Sequence, residues 1–399
     1  MTETSEQLRR RHIGGVRRLV VKVGTNVLAS PGKPVDEKRV DAISEQIATL
    51  MEGGREVALV SSGAIGSGMA ELGFEERPST LPDLQASASV GQSRLVSRYA
   101  RSLHRHGFHT GQILLTREDF DARGRYLNAK NTIRALFDMG CVPVINENDT
   151  ISTDEIRFGD NDLLAALVTH MIQAELLIVL SSVPGLCSSK PYPESVMGVH
   201  EGAGAADIGG DVLDIVERID ADVLHLASDT TSPSGTGGMA SKLDAVRIAT
   251  EAGEAAVIAD GHEENILHRI LAGEKVGTLF LPAGEKLRSR KRWIRFTSRP
   301  RGTIVVDAGA RAALENRGKS LLPSGVIEVD GRFEAGDVVR VKGPSGEEFA
   351  RGLTNYGSEE VDRIKGLNTA EIEDALGQKY YDEVIHRDNL ALVDGRFEL

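Results

Sequence analysis

Residues 17–28 read RRLVVKVGTNVL, an apolar, β-branched run that breaks at Lys-Val-Gly-Thr-Asn, where a strand should give way to a loop. Such junctions are where α/β proteins hold phosphates. Lys22 would bring a fixed positive charge, Gly24 lets the backbone approach a ligand, and Thr25 adds a hydroxyl. Taken alone, the segment equally describes a strand ending in an ordinary turn, because the full Walker pattern is absent. Further glycine-rich segments and an acidic loop, again at strand-to-helix junctions, shift that balance.

The 399 residues exceed what one core usually supports, so two domains are expected. A hydrophobic content of 40% with only 4% aromatics, and 43 glycines, suits an aliphatic α/β core with many tight turns. The formal charge of −12 argues against a general nucleic-acid binder and favours a soluble cytosolic protein. Cys141 and Cys187 lack C-x-x-C spacing and read as small buried hydrophobes. No window is apolar enough to span a membrane. The first 16 residues, with Arg9, Arg10 and Arg11, read as a polar N-terminal extension rather than a secretory signal.

From residue 17 to about 282, short apolar strands alternate with amphipathic helices. Strands are expected at 18–23, 56–61, 110–115, 142–146, 176–181 and 255–259. Helices are expected at 36–52, 84–106, 125–139, 160–173 and 242–253. This alternation predicts an α/β fold, a three-layer αβα sandwich around a mainly parallel sheet, with ligands at the carboxyl ends of the strands. Residues 189–235 interrupt the rhythm and read as an excursion carrying a mobile flap, with a short helix at 212–220. Eight basic residues fall between Lys286 and Arg301, marking 283–295 as a basic linker. A small, mostly β domain is expected over 296–390.

Three further segments carry candidate chemistry. VSSGAIGSGM at 60–69 would set Ser62 and Gly63 at a helix start, where an anion is favoured, although an ordinary N-cap explains Ser62 as well. NENDT at 146–150 and GDND at 159–162 place Asn148, Asp149, Asn161 and Asp162 at successive junctions. Together they suit a polar binding floor, since amides can read both an ammonium and a carboxylate. Asp160 reads as a helix cap. GTGGMASK at 235–242 puts glycines and Lys242 ahead of a helix, with a turn capped by Ser241 as the alternative. Four such sites along one sheet point to a phosphorylated ligand.

These residues resemble the glutamate 5-kinases of the amino-acid kinase family, which end in a PUA domain. The carriers are VVKVGTNVL, SSGAIGSGM, ASVGQSRL, GQILLTREDF, RYLNAKNTIRALFD, VPVINENDTI, FGDNDLLAAL, GTGGMASK, GTLFLP and RKRWI, spread from about residue 17 to 386. The resemblance implies ATP-dependent phosphorylation of the L-glutamate side chain, the first step of proline biosynthesis. Mg²⁺ would be held mainly by ATP phosphates, with no dedicated metal residues. It further implies Lys22, Asp162 and Lys242 as catalytic, and Ser62, Gly63, Asn148, Asp149 and Asn161 as glutamate-binding. Lys22, Gly24, Thr25, Ser181, Ser182, Thr236, Gly237, Gly238, Met239, Ala240, Ser241 and Lys242 would hold the nucleotide. The family has Thr-Asp where this chain has Ser181-Ser182, so a carboxylate expected at position 182 is missing. A homodimer or homotetramer, L-proline as a feedback inhibitor and coupling to the next enzyme of proline synthesis are implied by resemblance alone.

Two alternatives stand beside this reading. One is a sister kinase acting on another small acid. The other is a non-catalytic RNA-binding or regulatory protein on the kinase scaffold, with the 286–301 basic run as a phosphate track. RNA binding by the PUA domain is not expected, and Trp293 reads as a domain-interface anchor.

Overall fold

The computed structural model describes residues 3–30, 35–151, 161–188, 211–227, 238–283, 291 and 293–393. These divide into two compact units, Met1–Lys286 and Leu287–Leu399.

In the first unit, helix α1 (Ser5–Ile13) precedes β1 (Arg18–Val23), the one-turn α2 (Thr25–Leu28) and α3 (Glu37–Glu52). Then come β2 (Glu56–Ser61), α4 (Ala64–Leu72), α5 (Leu81–Arg105) and β3 (Thr110–Leu115). The helices α6 (Arg117–Asp121) and α7 (Arg123–Asp138) lead to β4 (Val142–Glu147), α8 (Asn161–Ile172) and β5 (Leu176–Ser181). Last are β6 (Ile215–Val216), α9 (Ala221–His225), α10 (Met239–Glu251), β7 (Ala255–Asp260), α11 (Ile266–Leu271) and β8 (Thr278–Phe280). The eight strands form one sheet in the order β3-β4-β2-β1-β5-β7-β8-β6. It is parallel from β3 through β7; β8 runs antiparallel to β7, and β6 parallel to β8.

The central strands explain their own placement. β1 and β5 are apolar on successive residues and buried on both faces, as strands between two helical layers must be. β1 lies at the middle, pairing Val21 with Leu59 on one side and Ile178 on the other. Lys22 therefore emerges at the carboxyl end of the central strand, the place where open α/β sheets bind ligands.

Two expectations change. Residues 212–220 do not form a helix: Ile215 and Val216 pair with Leu279 and Phe280 at the sheet margin, and the helix starts only after Asp220, whose Oδ1 accepts from the Val223 amide at 3.0 Å. A non-local strand partner has overridden a local helical pattern. The rest of the expected flap, 189–210 and 228–235, lies outside the described residues, as does Asp160. The segment read as a polar extension is in part a docked helix. α1 buries Arg9 and Ile13, and Ile13 joins the main aliphatic core.

In the second unit a five-stranded sheet has the order β10-β9-β11-β12-β13. Its strands are β9 (Gly302–Val306), β10 (Val326–Gly331), β11 (Val338–Lys342), β12 (Glu348–Leu353) and β13 (Leu390–Leu392). Among the described residues, the helices α12 (Ala308–Arg317), α13 (Ser358–Ile364) and α14 (Ile372–Leu376) accompany them. Trp293, expected as a domain-interface anchor, opens the turn Trp293–Thr297, which packs on β12 and β13 of its own unit. Of the basic linker, only residues 283, 291 and 293–295 are described.

Gly68, read within the glycine-rich segment at 60–69, serves packing instead, together with Gly91 of the ASVGQSRL stretch. A Cβ on Gly68 of α4 would stand 1.7 Å from the Ser87 carbonyl oxygen of α5, and one on Gly91 of α5 would stand 1.8 Å from the Ala64 carbonyl oxygen. The two helices cross backbone to backbone, so neither position admits a side chain. Gly91→Ala should cost about 3 kcal/mol, the upper range for overpacking, read as a lower urea midpoint at constant slope.

Candidate active site

Five strand ends converge along one edge of the first sheet. Gly24 and Thr25 follow β1, Ser62 and Gly63 follow β2, Asn148 and Asp149 follow β4, Ser182 follows β5, and Gly261 follows β7. The strand order places β4 and β2 on one side of β1, and β5 and β7 on the other. The site thus has two wings that meet at Lys22.

At the meeting point Lys22 Nζ lies 2.6 Å from Asp162 Oδ1, and Lys242 Nζ lies 3.4 Å from Asp162 Oδ2. Asp162 is wholly buried and both lysines nearly so. Each group comes from a different element: Lys22 from the next-to-last residue of β1, Lys242 from one turn inside α10, and Asp162 from the first turn of α8. The helix holding Lys242 begins at Met239, three residues earlier than expected from sequence. Lys242 Nζ also donates to the Gly238 carbonyl at 3.4 Å, and Ser241 Oγ to the same oxygen at 2.9 Å, which ties α10 to its incoming loop. Two ammonium groups on one carboxylate sum to one positive charge. An anion with several negative oxygens complements that charge, most strongly at low local dielectric.

Beside this trio, Asn161 Nδ2 donates to Ser62 Oγ at 3.0 Å, to Asn146 Oδ1 at 2.9 Å and to the Ser61 carbonyl at 3.3 Å. Asn146 Oδ1 also accepts the Glu147 amide at 2.9 Å. Ser62 is set by its own strand end, where its amide donates to the Val23 carbonyl at 3.1 Å. Gly63 follows at φ 97°, a left-handed conformation that favours glycine, and begins α4 without a side-chain cap. Behind Ser62, Ser61 Oγ donates to the Tyr99 hydroxyl at 3.1 Å; burial pushes that phenol above its ordinary pKa, so Tyr99 serves as a neutral prop. Asn148 and Asp149 lie in the turn after β4, with Asn148 Oδ1 accepting from Thr150 Oγ1 at 2.6 Å.

On the other wing, Gly24 donates to the Leu180 carbonyl at 3.1 Å, and Ser181 accepts from the Gly261 amide at 2.8 Å. Ser182 and Thr25 are exposed. Met239 turns its side chain into the core and Ala240 is exposed, so Met239 can face a ligand only through its backbone. Thr236 and Gly237 lie outside the described residues.

The structure therefore gathers Lys22, Asp162, Lys242, Gly238, Asn161 and Ser62 into one connected site, with the remaining described residues on its two wings. Sequence reading missed Asn146, which was treated only as part of a polar run. It also missed Asp260, whose Cα pairs with Ser181 across the β5–β7 ladder. Asp260 Oδ1 accepts from the His262 backbone amide at 2.9 Å and lies 2.8 Å from His262 Nδ1. It puts a carboxylate at the strand end next to the one where Ser182 lacks it.

Among the described residues no group of three or more metal-ligating side chains gathers. No described helix is long and apolar enough to cross a membrane.

Residues 17–260 match the profile of the amino acid kinase family, and residues 302–376 that of the PUA domain. The chain is 45% identical over 386 residues to a glutamate 5-kinase of Citrifermentans bemidjiense, covering 97% of this chain and 100% of that protein. It is also 45% identical to a glutamate 5-kinase of Caldanaerobacter subterraneus, covering 94% and 98%. Among solved structures, the UMP kinase of Bacillus anthracis aligns at 16% identity and a TM-score of 0.45, covering 67% of this chain and 97% of that one.

Breaking a buried ion pair from one side leaves an uncompensated charge. Asp162→Asn should therefore lower stability by about 3 kcal/mol, measured by urea unfolding, and an unchanged midpoint would show that the trio is not held together by its carboxylate.

Proposed function

The chain belongs to the glutamate 5-kinases of the amino acid kinase family, and on that premise we propose that it transfers the γ-phosphoryl group of ATP directly to the side-chain carboxylate of L-glutamate. The products are γ-glutamyl phosphate and ADP, the opening step of proline synthesis. The observation that carries this reading is the pair of lysines on one buried carboxylate, adjoining the Asn161–Ser62 pair.

The acceptor carboxylate has an ordinary pKa of about 4.3, so at neutral pH it is already an ionised nucleophile and needs no general base. The barrier is electrostatic: an anion must approach a polyanion in line with the leaving oxygen. Lys22 and Lys242 answer that need from two sides, and Asp162 fixes where their ammonium groups stand. Ser62, Asn161, Asn148 and Asp149 form the acceptor wing, where amides and a carboxylate can read the substrate's ammonium and α-carboxylate. Gly24, Thr25, Ser181, Ser182 and the loop ending at Gly238 form the nucleotide wing. We place Asp260 there as well, as the carboxylate that position 182 does not supply. The uncapped start of α10 and the glycine amides suit a triphosphate. Bound Mg²⁺ would neutralise charge on the ATP oxygens and, as is usual for this ion, keep waters and phosphates as its main ligands.

Family resemblance alone extends the proposal to a cytoplasmic homodimer or homotetramer, to inhibition by L-proline, and to hand-over of the labile acyl phosphate to the next enzyme of the pathway.

The experiment is ADP release from Mg-ATP with glutamate, aspartate, N-acetylglutamate or no acceptor, hydroxylamine being present to trap an acyl phosphate. Glutamate-dependent turnover with hydroxamate formation is the expected result. Turnover with another acid alone would make the chain a sister kinase, and no turnover from folded protein would favour a regulatory role. Lys242→Ala should lower kcat about a hundredfold or more with little change in the glutamate KM, because its charge counts most in the transition state. Asp149→Ala should act mainly on the glutamate KM; a change confined to ATP would move Asp149 to the other wing.

A further inference from the structure

Arg9 is fully buried on α1, and the chemistry above does not use it. All five of its N–H donors are engaged. Nε donates to Asp214 Oδ1 at 2.8 Å, and Nη2 to the carbonyls of Asp214 and Gly277, each at 2.8 Å. Nη1 donates to the carbonyls of Glu274 and Val276 at 3.2 and 3.0 Å. The Ser5 hydroxyl donates to the second oxygen of Asp214. A fixed planar fork used this fully holds its acceptors in one geometry, which a lysine with three donors cannot reproduce.

Those acceptors lie at the sheet margin beside β6 and β8, and they connect to the chain leaving β5. Asp214 follows a segment laced to the chain leaving β5: Leu213 donates to Leu186 at 2.7 Å, Ser188 donates to Asp211 at 2.9 Å, and Cys187 bridges Val212. Leu186 in turn receives support from Thr278, whose Oγ1 accepts its amide at 2.8 Å, one residue beyond the Gly277 carbonyl that Arg9 holds. The 182–187 stretch begins at Ser182, directly after the end of β5. One guanidinium thus secures the 211–214 segment and the 274–277 loop, and through them the stretch that begins at Ser182.

We propose that Arg9 is a positioning residue for the nucleotide: acting through Asp214 and Leu186, it fixes the 182–187 stretch and so sets nucleotide affinity without touching the ligand. This rests on the assignment of Ser181 and Ser182 to the nucleotide wing. Methionine approximates arginine's length and offers no donor, so Arg9→Met is the informative variant. Calorimetric titration with Mg-ADP, without any acceptor, reads the effect independently of turnover.

The expected result is a rise of at least about fivefold in both the ADP Kd and the ATP KM. The glutamate KM should move less than about twofold, and Arg9→Lys should recover only part of the loss. Asp214→Asn keeps the acceptor shape but removes the charge, and should shift ADP affinity in the same direction if Arg9→Met does not fold. Folded variants with wild-type ADP affinity would overturn the proposal, leaving Arg9 a structural staple. Loss of folding in both variants would do the same. A wild-type protein that binds ADP but phosphorylates no acceptor would refute the glutamate reading while leaving this one standing. A wild-type protein that binds no adenine nucleotide would refute both.

Discussion

Asp162 has no exposed surface, and it is approached by ammonium groups from two elements far apart in sequence, Lys22 on β1 and Lys242 on α10. Burying either lysine alone would be expensive, since an unpaired charge at low dielectric destabilises the fold or loses its proton. A shared carboxylate makes both tolerable at once. It also obliges α8 to start where it does, because a shift of one residue would swing Asp162 about 100° around the helix and replace it with Asn161 or Leu163. With Asp162 fixed, Asn161 is fixed beside it, and its amide reaches Ser62 and Asn146 at the β4–β2 strand ends. Both wings are referenced to one side chain.

The division of the site follows from strand order. β1 stands between β2 and β5, so whatever binds past its end has one neighbour on each side. Groups on the β4–β2 side are neutral amides and hydroxyls held by hydrogen bonds, with Asp149 in the adjoining turn. Those at the centre are cationic. Under the proposed reading, an acceptor to be oriented and a phosphoryl group to be stabilised would meet different chemistry on neighbouring strand ends, as direct transfer requires.

How much of this was legible in the sequence depended on whether the signal was local. Lys22, Gly24, Ser62 and Lys242 were readable because each sits at a junction where an apolar run meets glycine, a pattern complete within ten residues. The parallel sheet was readable from the same alternation. Asn146 was not distinguished from Asn148, since sequence adjacency does not tell which amide ends the strand and which enters the turn. Arg9 was misjudged for a related reason. Three consecutive arginines look like a solvated face, and the groups that bury Arg9 come from residues 214 and 274–277. β6 was assigned to a helix because its partner β8 lies some sixty residues further on. Gly68 and Gly91 were seen as glycines but not as a helix crossing, which only the pair reveals.

The margin of the first sheet has a consequence for how the chain is made. β6 is two residues long, and the carbonyls of Asp214 and Gly277 near it are taken up by Arg9. A short margin with occupied acceptors offers little for a foreign strand to pair with, which is one way natural sheets resist edge-to-edge aggregation. Yet α1 is synthesised long before its acceptors, Arg9 and Asp214 being 205 positions apart. Until residues 274–277 have emerged, that protection is absent. At this margin, the edge is therefore completed only when the last strands of the first unit are in place.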